Sequence, residues 1–597
     1  MTIQANFPNV QPSLLLDFAN AKQLPPQVTF TRATTAAYYD GSTTAKAEQN
    51  LMLYSQEFDN AAYAKGNVTV TANSSTAPDG TSTADLVFPS STGVDRAIGI
   101  STIATQVGLP YTISVYAKAS GLNFIYFLTY TGSSTPSLCA FFDLSTGAVG
   151  QTGSYFTSAS IVSVGSGWYR CTATANSNVA GSYPYIGLAD ANNSGTATAS
   201  GSNGVLLWGF QLEQRSSATA YTATTSQPIT NYIPVLLTAG GGQPRFDHNP
   251  TTSESLGLEI ERQSTNLHRY SAAFDGTVYN VEAGSYLNNT IVSPSGGITG
   301  AAIIEGNTFY TRSTIAITVT TSTEYTYSAY FKKGLRSQVL MEMYTTTNDG
   351  TAVFDLVAGT VVGGDVARAT ITNVGNGWYR CTLKSTTSGT NLSLFSYPAV
   401  GGSYSYTHVE GADGIYIWGA QLEQASFVTS YIPTTSAAAT RAADSAVMTG
   451  SNFSSWFNNS EGTLYVEASP QTLSSNSFGM ASLTNISGSN NSISMYYAGG
   501  NVVDVESLVN GVSQYTYLIP RGAQPTKVAH GYKVNNSNVA LNGTAYTADT
   551  VCLVPLVNTL TIGTIYDGGG FPCNGTIRKL AYYPIRVTDA QLAALTS

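Results

Sequence analysis

The chain has 597 residues, which at roughly 150 residues per domain calls for several cores rather than one. Only 10% of its residues are charged while 42% are hydrophobic, and this pairing excludes a disordered polymer, which combines low hydrophobicity with high charge. The net charge of -9 leaves no cationic clusters for phosphate contacts, so nucleic-acid binding is disfavoured. With 38 tyrosines and 57 glycines among many serines and threonines, and few of the strong helix formers, the composition favours strands and turns. An all-β chain is expected. No apolar run approaches the roughly 18 residues of a membrane span. The opening MTIQANFPNVQPSLLLDF lacks a basic, then apolar, signal segment, which points to synthesis in a cytoplasm and no membrane insertion. The five cysteines, Cys139, Cys171, Cys381, Cys552 and Cys573, have no CxxC spacing and read as small buried hydrophobes, with no metal site and no cofactor.

In chain order, residues 1–49 carry Pro8, Pro12, Pro25 and Pro26 and too little alternation for a core of their own, so they read as an extended attachment arm. Residues 50–236 and 266–445 are two copies of one unit, joined by a connector at 237–265. GWYRCT around Trp168 returns around Trp378, and WGFQLEQ at Trp208 returns as WGAQLEQ at Trp418, both displaced by 210 residues. NLMLYSQEFD from Asn50 matches NLHRYSAAFD from Asn266 at a displacement of 216. Kept order with small drift means duplicated domains. Short runs bounded by Gly, Ser, Asn and Pro predict antiparallel sandwiches. Alternation in the last strand of each copy sets Leu206, Trp208, Phe210 and Leu212 on one face, and Tyr416, Trp418, Ala420 and Leu422 likewise, so Trp168, Trp208, Trp378 and Trp418 are expected in the core. The charges of Arg170 and Glu213, repeated at the same spacing as Arg380 and Glu423, predict two ion pairs. Residues 446–597 form a third, distinct sandwich closing in one short helix.

The motif string NLMLYSQEFD, GWYRCT, IYIWGAQLEQ and SYIPTTSAAATRAAD, with FTRA near residue 30 and PRFDH from Pro244, resembles the modular tail-fibre and head-fibre proteins of tailed bacteriophages. That resemblance implies jelly-roll carbohydrate-binding modules in the two copies, a trimeric virion-surface appendage, docking on other virion proteins through the N-terminal segment, and a host-surface glycan or protein as ligand. Residues 446–597 resemble a laminin-G or concanavalin-type sandwich through Gly575, Ile577, Leu580, Tyr582, Val587 and Leu592 and the Leu541-Asn542-Gly543 hairpin. FTRA and PRFDH usually stand close together; their separation here implies that the first copy was inserted between them.

No catalytic constellation stands out. His248, His268, His408 and His530 form no HExxH, no G-x-S-x-G elbow occurs, and the only period is domain-sized, unlike the coil repeat of a polysaccharide-cleaving β-helix. A binding or structural protein is expected rather than an enzyme, whether on a tail or as a capsid decoration with inert spacers. Recognition loops vary most on a rigid sandwich, and the loop before the last strand differs most between copies. Tyr404, Tyr406, His408 and Asp413 in the second copy and Asp190, Asn192 and Asn193 in the first are the candidate contacts, because Tyr and Asn supply adaptable recognition chemistry.

Overall fold

Apolar residues alternating with hydroxyl-bearing ones build antiparallel strands along the whole chain, with glycine and asparagine ending them. The computed structural model describes residues 11–597 apart from 129–135, 275–279, 283, 307–311, 471–476, 486–487, 500, 523 and 566–570. Each repeat is a pair of six-stranded antiparallel sheets. Ile113, Val115, Phe127, Phe142 and Leu207 fill the first, and Tyr327, Ala329, Met341, Phe354 and Ile417 the second. Cys171 and Cys381 occupy equivalent places in those fillings, and burial pushes both thiols up. The α-helices among the described residues are short, Phe18–Ala21, Ser451–Ser454 and Asp589–Thr596, and none is long and apolar enough to cross a membrane.

The strand carrying each WG motif departs from simple alternation. Gly209 and Gly419 sit at φ +66° and +63°, a left-handed conformation open to glycine at little cost. Each lies where the register slips against the neighbouring strand, between Ser114 and Tyr116 and between Ser328 and Tyr330. This bulge reverses the facing of everything before it. Val205, Leu207, Phe210 and Leu212 therefore point into the first filling, while Leu206 and Trp208 point outward into a second apolar cluster with Trp168 and Tyr116. Ile415, Ile417, Ala420 and Leu422 point inward in the second repeat, and Tyr416 and Trp418 outward with Trp378. The tryptophans are buried, at 4% exposure for Trp208 and 0% for Trp378, but against the sandwich's outer covering rather than in its centre.

The third sandwich is assembled from pieces spread over the chain. Its eight-stranded sheet takes Leu14–Leu16, Phe246–His248 and Ser255–Ile260 beside strands from residues 461–583, and its seven-stranded sheet takes Thr29–Thr31 beside strands from residues 445–562. Leu14 lies opposite Tyr582, Phe30 opposite Ala446 and Leu258 opposite Ile577. The expected free arm and connector are thus, over the described residues 11–49 and 237–265, parts of other folded elements. Three-residue strands carry no readable alternation, yet Leu16, Phe18 and Val28 enter the same filling as Ile577, Leu580 and Tyr582. The Leu541-Asn542-Gly543 sequence turns the chain between Asn536–Leu541 and Thr544–Ala545, with Asn542 and Gly543 at positive φ.

Ala36–Asn50 and Ile229–Ala239 pair as a two-stranded ribbon in which Ala36 faces Ala239 and Asn50 faces Ile229. The first repeat hangs at its far end. At its near end the charges of the FTRA, PRFDH, LEIE and TRAAD motifs converge. Arg32 pairs with Asp444 at 2.9 Å; Arg245 pairs with Asp444 at 2.6 Å, Glu261 at 2.8 Å and Glu259 at 2.9 Å; Arg441 reaches Glu261 at 3.4 Å. All are buried. Burial pushes the Glu261 carboxyl up, but Arg441 and Arg245 outweigh it and hold it at about 2. FTRA and PRFDH are therefore neighbours in space, as expected if the first repeat was inserted between them.

Two buried histidines make stability depend on pH. Burial lowers His268 and His530 to about 3, so both stay neutral in the fold while the unfolded chain protonates them near pH 6.5. Between those values the unfolded state binds the extra protons. Stability should fall as pH drops from about 6.5 toward 3, by up to ~1.4 kcal/mol per pH unit for each histidine. Denaturant midpoints measured from pH 7.5 to 4.5 should show the decline, and His530→Gln should flatten it; an unchanged slope would remove His530 as a cause.

Candidate functional site

The repeated motifs prove to be a clasp. Asn50 donates from its amide to the carbonyls of Phe210 and Thr222 at 3.0 and 2.9 Å, and Asn266 does the same to Ala420 and Ile432 at 3.2 and 2.9 Å. The Gln211 carbonyl oxygen accepts from the Thr222 backbone and that of Gln421 from Ile432, both at 2.7 Å. Ser55 meets the Tyr221 hydroxyl, and Ser271 that of Tyr431, each at 2.6 Å. Tyr221 and Tyr431, in AYTATTS and SYIPTTS, are a repeat element that the sequence reading missed although the spacing was there to find.

The expected Arg–Glu pairs do not form directly. Glu213 accepts from the Thr219 amide at 2.9 Å and from Gln211 at 2.7 Å, and Glu423 accepts from Thr429 and Gln421 at 2.9 and 2.8 Å. Arg170 instead donates to the Thr219 carbonyl at 2.7 Å. Arg170 lies over the Tyr116 ring and Arg380 over Tyr330, each at 5.4 Å, so a shared face with aromatic rings, not a carboxylate, places these guanidinium groups.

The outward aromatic faces create the site. In the second repeat, Tyr330, Trp418 and Tyr431 are covered by Tyr39, Ala47 and Ile233 of the ribbon. In the first, the equivalent Tyr116, Trp208 and Tyr221 line a cleft of 610 Å³ between the repeats. Ring centroids lie 5.2 Å apart for Tyr116 and Trp208 and 4.6 Å apart for Trp208 and Tyr221. The second repeat's wall carries Lys332, Lys333, Asp413 and Tyr416, and Glu48, Asp79 and Asn231 also belong to the lining. Lys332 pairs with Glu48 at 2.6 Å, and Asn376 donates to the same carboxylate at 2.8 Å. Burial raises the Asp413 carboxyl, and the Tyr416 hydroxyl donates to it at 2.9 Å. The wall comes this close because position 411 is glycine: at φ +81°, a Cβ there would stand 1.8 Å from the Val164 carbonyl oxygen. Aromatic faces flanked by few fixed polar groups suit a ring-shaped polar ligand.

Of the candidate contacts, only Asp413 enters this cleft. Tyr404 stacks on Tyr397 at 4.9 Å, and Tyr406 stacks on His408 at 4.2 Å. The Tyr406 hydroxyl donates to Glu305 at 2.6 Å while Arg336 pairs with Glu305 at 2.6 Å and covers the Tyr406 ring at 4.7 Å. This anchors the loop whose tip, at Gly411, meets the first repeat. Asp190 accepts from the Thr198 backbone at 3.0 Å, Asn192 accepts from the Gln151 backbone at 2.8 Å, and Asn193 turns the chain at φ 56°. These three hold their own loop, and the structure does not bring them to the second-copy residues. Among the described residues no group of three or more His, Cys, Asp or Glu is placed to hold a metal ion.

No family model and no curated protein matches the sequence. Among solved structures, the CBM40 carbohydrate-binding module of the Ruminococcus gnavus IT-sialidase, bound to alpha2,3 sialyllactose, is similar at 17% identity over 24% of this chain and 84% of its own, with a TM-score of 0.21. The CBM22-1-CBM22-2 tandem domain of Paenibacillus barcinonensis Xyn10C matches at 9% identity over 64% of this chain and 99% of its own, with a TM-score of 0.19. A heptameric SAP-like pentraxin from Limulus polyphemus matches at 20% identity over 23% and 70%, with a TM-score of 0.18. At these identities and scores the likenesses add no argument to the geometry.

Proposed function

We propose that this chain is a non-catalytic bacteriophage virion appendage, of the tail-fibre type, that binds a surface glycan in the cleft between its two repeats. The cleft floored by Tyr116, Trp208 and Tyr221 carries the reading. Tyr221, the least buried of its three rings, offers an apolar face to a sugar ring, and Asp413, Lys333 and Asn231 offer donors and acceptors to its hydroxyls. The motif string supports the virion setting, and trimeric assembly and docking on other virion proteins belong to the same reading. Because residues 11–35 are built largely into the third sandwich, that docking is not assigned to a separable arm.

The test is binding of the full chain to polysaccharides from candidate host surfaces, by calorimetry. Lys333→Ala, which spares the clasp, should weaken binding about tenfold, the cost of one good polar contact. No binding to any surface glycan, together with antibody labelling on capsids rather than tails, would replace this reading with capsid decoration by inert modules. Release of new reducing ends during incubation would overturn the non-catalytic part.

A further inference from the structure

One end of the third sandwich is apolar and bare. Residues 546–558 cross there from one sheet to the other, and within them Val551 is 81% and Leu556 70% exposed. Leu553 between them, Val534 in the turn at residues 533–536, and Val512 just after the turn at Asn510 and Gly511 are each more than half exposed. Hydrogen bonds fix these turns as neighbours. Asn535 donates from its backbone to the Cys552 carbonyl at 2.8 Å, the Leu553 backbone donates to Gln514 Oε1 at 3.1 Å, and the Gln514 amide donates to the Val512 carbonyl at 3.1 Å. Val557 continues the surface into a recess of 400 Å³ that it lines with Phe453 and Phe457. Aliphatic side chains that face water add nothing to the sandwich's own filling, so five of them at one end call for a cover.

This end points away from the repeats. The strand Phe478–Asn485 spans the sandwich: its Phe478 ring packs on Phe427 of the second repeat at 5.3 Å, and at its other end Asn485 accepts from Asn558 at 3.3 Å. Among the described residues nothing covers Val551 or Leu556. Nearby charges are already matched. Lys533 pairs with Glu461 at 3.6 Å, Arg586 pairs with Asp589 at 2.5 Å, and Asp549 accepts from the Val551 backbone at 2.7 Å. They leave neither the cationic fringe that an anionic lipid surface attracts nor a field that a highly charged partner would match. The exposed side chains have no ring faces and no donors, which suits a protein contact better than a sugar. Together the five expose on the order of 500 Å², high for a monomer and more than half of the roughly 800 Å² per partner in a stable interface. An apolar centre depleted of charge is the composition of contacts between identical subunits.

We propose that this end is the surface through which copies of this chain associate, with the apolar turns and the recess of one copy seated against those of the next. The number of copies rests on the trimeric reading above; the surface does not. Sedimentation velocity of the full chain over a range of concentrations tests both. Wild type should sediment as a trimer. Val551→Glu and Leu556→Glu each place a charge in the contact, and with an unchanged far-UV spectrum they should raise the concentration of half-dissociation at least about a hundredfold. Val107→Glu and Val357→Glu, similarly exposed but on the repeats, should leave the mass unchanged. A trimer that survives both substitutions at this end would overturn the surface and spare the trimer, whereas a dimer that they dissolve would support the surface and overturn the trimer. A wild type monomeric at every concentration would overturn both. The surface would also fall if the monomer bound phosphatidylcholine vesicles in a way that Leu556→Glu abolishes, or if association began only after removal of residues 1–10; the first outcome makes it a lipid contact, the second assigns its cover to the chain's own first residues.

Discussion

Arg245→Ala is expected to destabilise the protein by about 3–5 kcal/mol, because truncating one member of a buried ion cluster strands its partners in a medium that solvates them poorly. Arg245 touches Asp444, Glu261 and Glu259 together, so its removal leaves three acids facing two arginines. The three carboxylates raise the Arg245 affinity for its proton against the effect of burial, which keeps the guanidinium charged at every accessible pH. Hydrogen exchange should read the loss locally, with Ser255–Ile260 and Ser445–Thr449 losing protection before the interior strands of the two repeats. A change under about 1 kcal/mol, or loss spread evenly over all strands, would mean that the cluster is compensated elsewhere.

The second large effect is expected from Trp378→Ala, again about 3–5 kcal/mol by the precedent of large aromatic truncations. The indole is fully buried, donates to the Val292 carbonyl at 3.0 Å, and packs in the cluster that joins the second repeat to the ribbon through Ile291, Val374 and Tyr39. Removing it leaves a cavity and an unpaired carbonyl beneath the ribbon. Trp208→Ala should cost less, since its ring borders the cleft and neighbouring side chains and water fill part of the space. Equal losses in the two variants, followed by equilibrium unfolding, would show that both rings are covered alike.

Domain-scale repetition was legible because motifs that hold a fold together keep their spacing: Trp168 and Trp378, Asn50 and Asn266, Glu213 and Glu423 all recur in register and all turn out to do equivalent work. Facing was not legible in the WG strands, since one glycine in the left-handed region reverses parity without altering composition. The discontinuous third sandwich escaped for a different reason. Leu14–Leu16 and Thr29–Thr31 are too short to show a period, and their partners lie hundreds of residues away, so only the fold reveals them. The candidate site was half legible. Loop variability led to Asp413, but Tyr116, Trp208 and Tyr221 become a surface only when two repeats stand side by side, which no single-copy pattern encodes.

The ribbon also bears on how such a chain can grow. Asn50 and Ile229 already face each other as hydrogen-bonded neighbours in paired strands, so a whole sandwich enters and leaves the polypeptide through two adjacent points, as a longer or shorter hairpin would. The arginine cluster and the short edge strands of the third sandwich lie on the other side of that doorway. A recombination event that exchanges the stretch between those two residues trades one sandwich for another while the remaining sandwiches keep every one of their internal strand pairings.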